Sequence, residues 1–145
     1  MIRDINIVNR RARHEYEFIR TEIAGIMLMG SEVKSIRSGK ISLVESYCIF
    51  IDGELFLKNA NISENLTSYS HKSNQDRKLL LKKVELKRLK KELVKGFSII
   101  PYRVFLNDEG LIKVEIVLGK GKNTYDKRNT LKNRDIEKEI KKKLT

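Results

Sequence analysis

Apolar residues in this chain come in short clusters that switch between the two-residue period of strands and the three-to-four-residue period of helices. Residues 15–20 (EYEFIR) read as a strand, and residues 23–29 (IAGIMLM) as a second, mostly buried one closed by Gly30. In "SEVKSIRSGK", Ser31 is the expected N-cap and Gly39 the stop of a short helix over 32–37. On it Val33 and Ile36 face the core, while Lys34 and Arg37 share the neighbouring outward face. "SYCIFIDGELFLKNA" places two apolar runs around Asp52-Gly53, the pair suited to the positive φ angles of a type I′ turn, and predicts a tight hairpin. Residues 63–76 form a polar loop. "KKVELKRLKKELVKG" follows as an amphipathic helix over 83–95, with Leu86, Leu89 and Leu93 on one face and Gly96 as its C-cap. A last hairpin, FSIIPYRVFL and LIKVEIVL, turns at 107–110, and Ile112, Val114, Ile116 and Leu118 alternate inward. Pro101 lacks an N–H, so its strand should lie at an edge or carry a bulge.

The order β-β-α-β-β-α-β-β predicts a mainly β chain: an OB-type antiparallel barrel of about six strands with inserted helices. The barrel is expected over residues 1–118 and a basic C-terminal tail over 119–145. That tail changes the picture most. It carries ten basic and four acidic residues, a net +6 and half of the chain's +12. Its only apolar stripe, Ile136, Ile140 and Leu144, is too thin to offset the entropy of ordering. A disordered solubilising extension fits, and so does a segment that folds against a polyanion, with Lys120 and Lys122 for charge, Gly119 and Gly121 for close approach and Tyr125 for stacking. Asp126 would repel phosphate and suits a helix cap or a partner for a neighbouring cation.

A balance this basic points to nucleic acid or an acidic membrane surface. Cys48 is the single cysteine, so no disulfide framework can form within one chain, which fits a reducing compartment. The N-terminus has no hydrophobic signal region, and apolar runs fall far short of the roughly 20 residues that span a bilayer. We therefore expect a soluble cytoplasmic protein.

Two further basic segments stand out. "NRRARH" and "GSEVKSIRSGK" supply Arg10, Arg11, Arg13, Lys34, Arg37 and Lys40. Such charges are ordinarily a solvated surface, but both segments adjoin barrel strands, where OB folds carry ligands. Lys83, Lys87, Lys90 and Lys91 form the basic side of the 83–95 helix, and amphipathic helices normally look like this. Neither His14 nor His71 shows metal-ligand spacing. No phosphate loop, zinc signature or nucleophile elbow is present, so no enzyme and no cofactor is expected.

"NRRARHEY", "GSEVKSIRSGK", "DRKLLL" and "KGKNTYDKR" stand in the order and at the distances of the SmpB family, and from Asn9 to the C-terminus the chain resembles these SsrA-binding (tmRNA-binding) proteins of bacterial trans-translation. The resemblance implies an OB-type barrel with added helices and a non-catalytic RNA-binding factor. Such a factor binds the tRNA-like domain of tmRNA and helps alanyl-tmRNA, carried by elongation factor Tu, enter a ribosome stalled on non-stop mRNA. Elongation factor Tu and alanyl-tRNA synthetase would be indirect partners through tmRNA, and the protein a monomer. The resemblance places Asn9, Arg10, Arg13, Glu32, Lys34, Arg37, Gly39 and Lys40 at the tmRNA surface, with Leu80 at a position sensitive for RNA binding. It places Lys120, Gly121, Lys122, Tyr125, Asp126, Lys127 and Arg128 near the decoding centre, with the later tail helical in the empty mRNA channel. The chain departs from the family at Ile23, where many relatives carry an acid before "AG", and at "SNQD" in a shortened loop. Tyr125 stands where some relatives have His, and either ring can stack.

Overall fold

A computed structural model describes residues 5–64 and 71–122. Its elements are β1 (Asn6–Val8), α1 (Arg10–Glu15), β2 (Tyr16–Ile26), α2 (Gly30–Arg37), β3 (Ile41–Ser42), β4 (Tyr47–Ile51), β5 (Glu54–Lys58), β6 (Asn61–Ile62), β7 (Arg77–Leu80), α3 (Lys83–Glu92), β8 (Phe97–Leu106) and β9 (Ile112–Gly121). The large sheet runs β1-β8-β4-β5-β7-β2-β9, and β9 returns to pair with β8. Six antiparallel strands thus close a ring, with β1 added outside β8, while β3 and β6 form a separate short pair.

The ring does not contain the six strands expected. The strands expected over 15–20 and 23–29 merge into one continuous strand, β2 (Tyr16–Ile26), which leaves out Glu15 and residues 27–29 and whose register slips between Phe18 and Arg20. That slip breaks the two-residue alternation, which is why the segment reads as two pieces. The missing sixth strand is β7, formed by "RKLL", too short and too cationic to signal itself from pattern. Arg10–Glu15 forms a short helix where the sequence reading assigns the basic segment no element.

Other expectations hold. Asp52 and Gly53 take φ of 51° and 80°, making the tight turn between β4 and β5. The β8 register shifts between Pro101 and Arg103, the bulge that a residue without N–H requires. Val114, Ile116 and Leu118 are buried, alternating into the interior with Ala24, Leu55, Leu57, Leu79 and Ile99. From α3, Leu89 is fully buried among them with Leu86 and Leu93 packed alongside. A second, smaller core lies between α1 and the ring, where Ala12 covers Tyr16, Ile100 and Val117. The strand β9 continues past the boundary drawn at Leu118: Lys120 pairs with Glu17 and Phe97, and Gly121 with Tyr16. Gly119 is required there by packing inside the protein, since a Cβ would sit 2.9 Å from Tyr16 Cβ.

Candidate nucleic-acid interface

The side chains singled out from sequence fall into three groups. The first surrounds α1. Asn9 donates through its amide to the Leu43 carbonyl at 3.4 Å and the Pro101 carbonyl at 3.3 Å, tying the loop before β4 to β8. Arg13 donates from Nε to the Tyr102 hydroxyl at 2.9 Å and lies over the Phe18 and Tyr102 rings at 4.7 and 4.8 Å. Those two rings meet edge to face at 5.1 Å. Asn9 and Arg13 therefore fix α1 in place, while Arg10 is exposed. The same helix holds the start of the tail segment. Lys122 donates its backbone N–H to Glu15 O at 3.0 Å and its Nζ to Arg13 O at 2.7 Å.

The second group surrounds α2. Lys34, Arg37, Gly39 and Lys40 are exposed, and Gly39 takes a φ of 75° that ends the helix. Arg37 donates to the Gly110 carbonyl in the β8–β9 turn at 3.3 Å, which aims its guanidinium along a groove shared with Leu80. The groove is apolar, with Leu28, Val33, Leu80 and Leu111 along it, and Lys113 joins Arg37 as its second cation. Leu80 and Leu111 are 46% and 52% exposed, an unusual display for leucine. Gly25 keeps the groove open, because a Cβ there would lie 3.3 Å from Leu80 Cβ and 3.7 Å from Lys113 Nζ. An apolar channel with cations beside it can take a base face and its phosphate together. Leu111 and Lys113 escaped the sequence reading because they look like ordinary hairpin residues; only the fold brings them to Leu80.

Glu32 belongs to α2 but not to its surface, which corrects its expected place among RNA contacts. Its side chain is 1% exposed and meets Arg77 Nε at 2.6 Å, while its other oxygen accepts the Met29 N–H at 2.8 Å. Arg77, equally buried, also donates to the carbonyls of Ala60 (2.8 Å), Lys72 (3.2 Å) and Ser73 (3.1 Å). Ser31 is not the N-cap; Met29 is, and the Ser31 hydroxyl meets His71 Nδ1 at 2.8 Å, with His71 Nε2 on the Ile62 carbonyl at 2.9 Å. Glu32 and Ser31 thus bolt α2 to the segment leading into β7. A buried ion pair with every remaining donor satisfied is the arrangement in which two desolvated charges are tolerable.

The third group is the tail. Lys120 and Gly121 lie in β9 and Lys122 just beyond it; Tyr125, Asp126, Lys127 and Arg128 lie outside the described residues. Cys48 is buried in the core, where desolvation pushes its thiol up and away from reactivity. Among the described residues no three metal-ligating side chains come together, and no helix is long and apolar enough to cross a membrane.

A family model described as SmpB protein matches residues 6–145. An SsrA-binding protein of Phocaeicola vulgatus is 50% identical over 139 residues, covering 94% of this chain and 93% of that one. The SsrA-binding protein of Flavobacterium psychrophilum is 48% identical over 143 residues, covering 97% and 95%. A solved structure described as "tmRNA-SmpB: a journey to the center of the bacterial ribosome" contains a similar chain, with TM-score 0.69 and 42% identity, over 85% of this chain and 88% of that one.

Proposed function

The chain belongs to the SmpB family, and from that membership we propose that it is a non-catalytic RNA-binding factor of trans-translation in the bacterial cytoplasm. It binds the tRNA-like domain of tmRNA through the barrel and escorts alanyl-tmRNA to ribosomes stalled on non-stop mRNA. Elongation factor Tu and alanyl-tRNA synthetase join only through the RNA, and the protein acts as a monomer. The observation that carries this reading is the groove of α2 and β7, where motif residues Arg37 and Leu80, distant in sequence, converge with Lys113. Lys34, Arg37, Gly39, Lys40, Arg10 and Leu80 meet tmRNA directly. Asn9, Arg13 and Glu32 act through the elements they hold. Lys120, Gly121 and Lys122 set where the tail departs, and Tyr125, Asp126, Lys127 and Arg128 approach the decoding centre of the small ribosomal subunit.

Competition binding tests the reading. Labelled tmRNA should stay bound in the presence of an equal concentration of unrelated RNA, and displacement under those conditions sinks it. With about six phosphates contacted, log K should fall with log[salt] at a slope on the order of −4 to −5.

A further inference from the structure

At about 100° per residue, the buried stripe of α3 is Leu86, Leu89 and Leu93; both acids of the helix lie to one side of it, with Arg88 behind them, and the lysines of the helix body lie to the other. Glu85 and Glu92 fall along one border, where Glu92 reaches Arg20 at 2.9 Å. Lys83, Lys87, Lys90 and Lys91 fall along the other, and all four are exposed. Among the described residues none of these lysine side chains has an ion pair or hydrogen bond. The nearby acids are taken by arginines instead: Glu92 by Arg20, and Glu22 by Arg88 at 3.9 Å. Residues 82–95 hold seven basic and two acidic groups, so they contribute a net +5 to the chain's +12.

Lys83, Lys87 and Lys91 repeat at the four-residue spacing at which like charges repel on a helix surface. Such a row works against its own helix until a counter-charge lies over it. Its placement indicates which. The row begins in sequence just after Leu80, an exposed member of the groove, and at 1.5 Å per residue it extends about 12 Å. Beyond its far end Gly96 accepts the Gly121 N–H at 3.2 Å, beside Lys120. The row therefore links the groove to the origin of the tail. It contains no aromatic ring and no guanidinium fork; lysines are point charges suited to phosphate rather than to base edges.

We infer that this row is a second contact with the RNA that meets the Leu80 groove, made to a run of its phosphates. The inference rests on the tmRNA reading above. The full chain carrying Lys83→Gln, Lys87→Gln, Lys90→Gln and Lys91→Gln is titrated with the transcribed tRNA-like domain of tmRNA across a salt series. The slope of log K against log[salt] becomes shallower by about 3, at 0.7–0.9 per lost phosphate contact. The loss of affinity shrinks as salt rises, and the free variant melts no lower than the wild type, since the substitutions relieve like-charge repulsion along α3. Lys→Arg at the same four positions retains the wild-type slope. A second variant removes equal charge elsewhere through Lys138→Gln, Lys141→Gln, Lys142→Gln and Lys143→Gln, and leaves the slope nearly unchanged. An unaltered slope in the α3 variant overturns the inference, as does an equal drop in the tail variant, which would reflect net charge alone. A loss seen only when ribosomal subunits replace the RNA overturns it too, by assigning the row to the ribosome. Failure of the wild-type chain to prefer this RNA over bulk tRNA is a separate result and strikes the tmRNA reading itself.

Discussion

The side chain of Glu32 shows how far a residue's place can lie from what its motif suggests. In sequence it is a first-turn carboxylate on a basic helix; in the fold it is 1% exposed and paired with Arg77, 45 positions away. No local signal could reveal that pairing, because burial of an ion pair is decided by which distant segments pack together. Removing one partner strands a charge in the interior. Arg77→Met should lower the unfolding free energy by about 3–5 kcal/mol, and the double variant with Glu32→Met should recover much of it. Denaturant melts of the three proteins decide the matter; equal stability of Arg77→Met and wild type would contradict the burial. Because α2 is held by this pair, Arg77→Met should also weaken tmRNA binding, and the double variant should restore it.

Elements whose apolar period is regular were legible, and those interrupted by a bulge or built from charged residues were not. The Asp52-Gly53 hairpin and the β8–β9 pair carry their geometry in local chemistry. By contrast β2 was split at its register slip, and β7 was hidden because two of its four residues are Arg77 and Lys78. The end of β9 was drawn too early because Gly119, Lys120 and Gly121 lack apolar side chains, although their backbones extend the pairing of β9 with β2 and β8. A chain ending after Lys122 should therefore melt like the full protein, while one ending after Leu118 should melt several degrees lower. Equal melting of the two would mean those last pairings add nothing. The docking of α3 has a pH signature of its own. Burial, and then the charge and hydrogen bond of Glu85, hold the Glu22 carboxyl above its ordinary 4.5, against the pull of Arg88 and Arg20. The fold thus prefers the protonated form. Its contribution is full below the unfolded-state pKa and is lost as pH rises through the raised folded value. Glu22→Gln, which imitates the protonated carboxyl, should melt above wild type at neutral pH and alike in acid. A melting curve parallel to wild type at all pH values would show that Glu22 is not desolvated.

At the scale of the molecule, the proposed function divides the labour between the closed shell and the basic C-terminal residues. Deleting residues 123–145 should leave the shell folded and tmRNA affinity within a few-fold, while tagging on stalled ribosomes disappears; intact tagging would refute that division. Motif order was enough to foresee the SmpB family, but the groove was not legible, since Arg37, Leu80 and Lys113 reach it from three separate elements. Ring closure carries a consequence for the protein's life in a crowded cell. Once β9 has joined β8, the open margins left among the described residues are short, such as three-residue β1 and the two-residue β3 and β6. Amyloid-like growth needs a long bare margin on which a copy can be templated. Made in excess over its RNA, this chain should stay dispersed rather than form fibres.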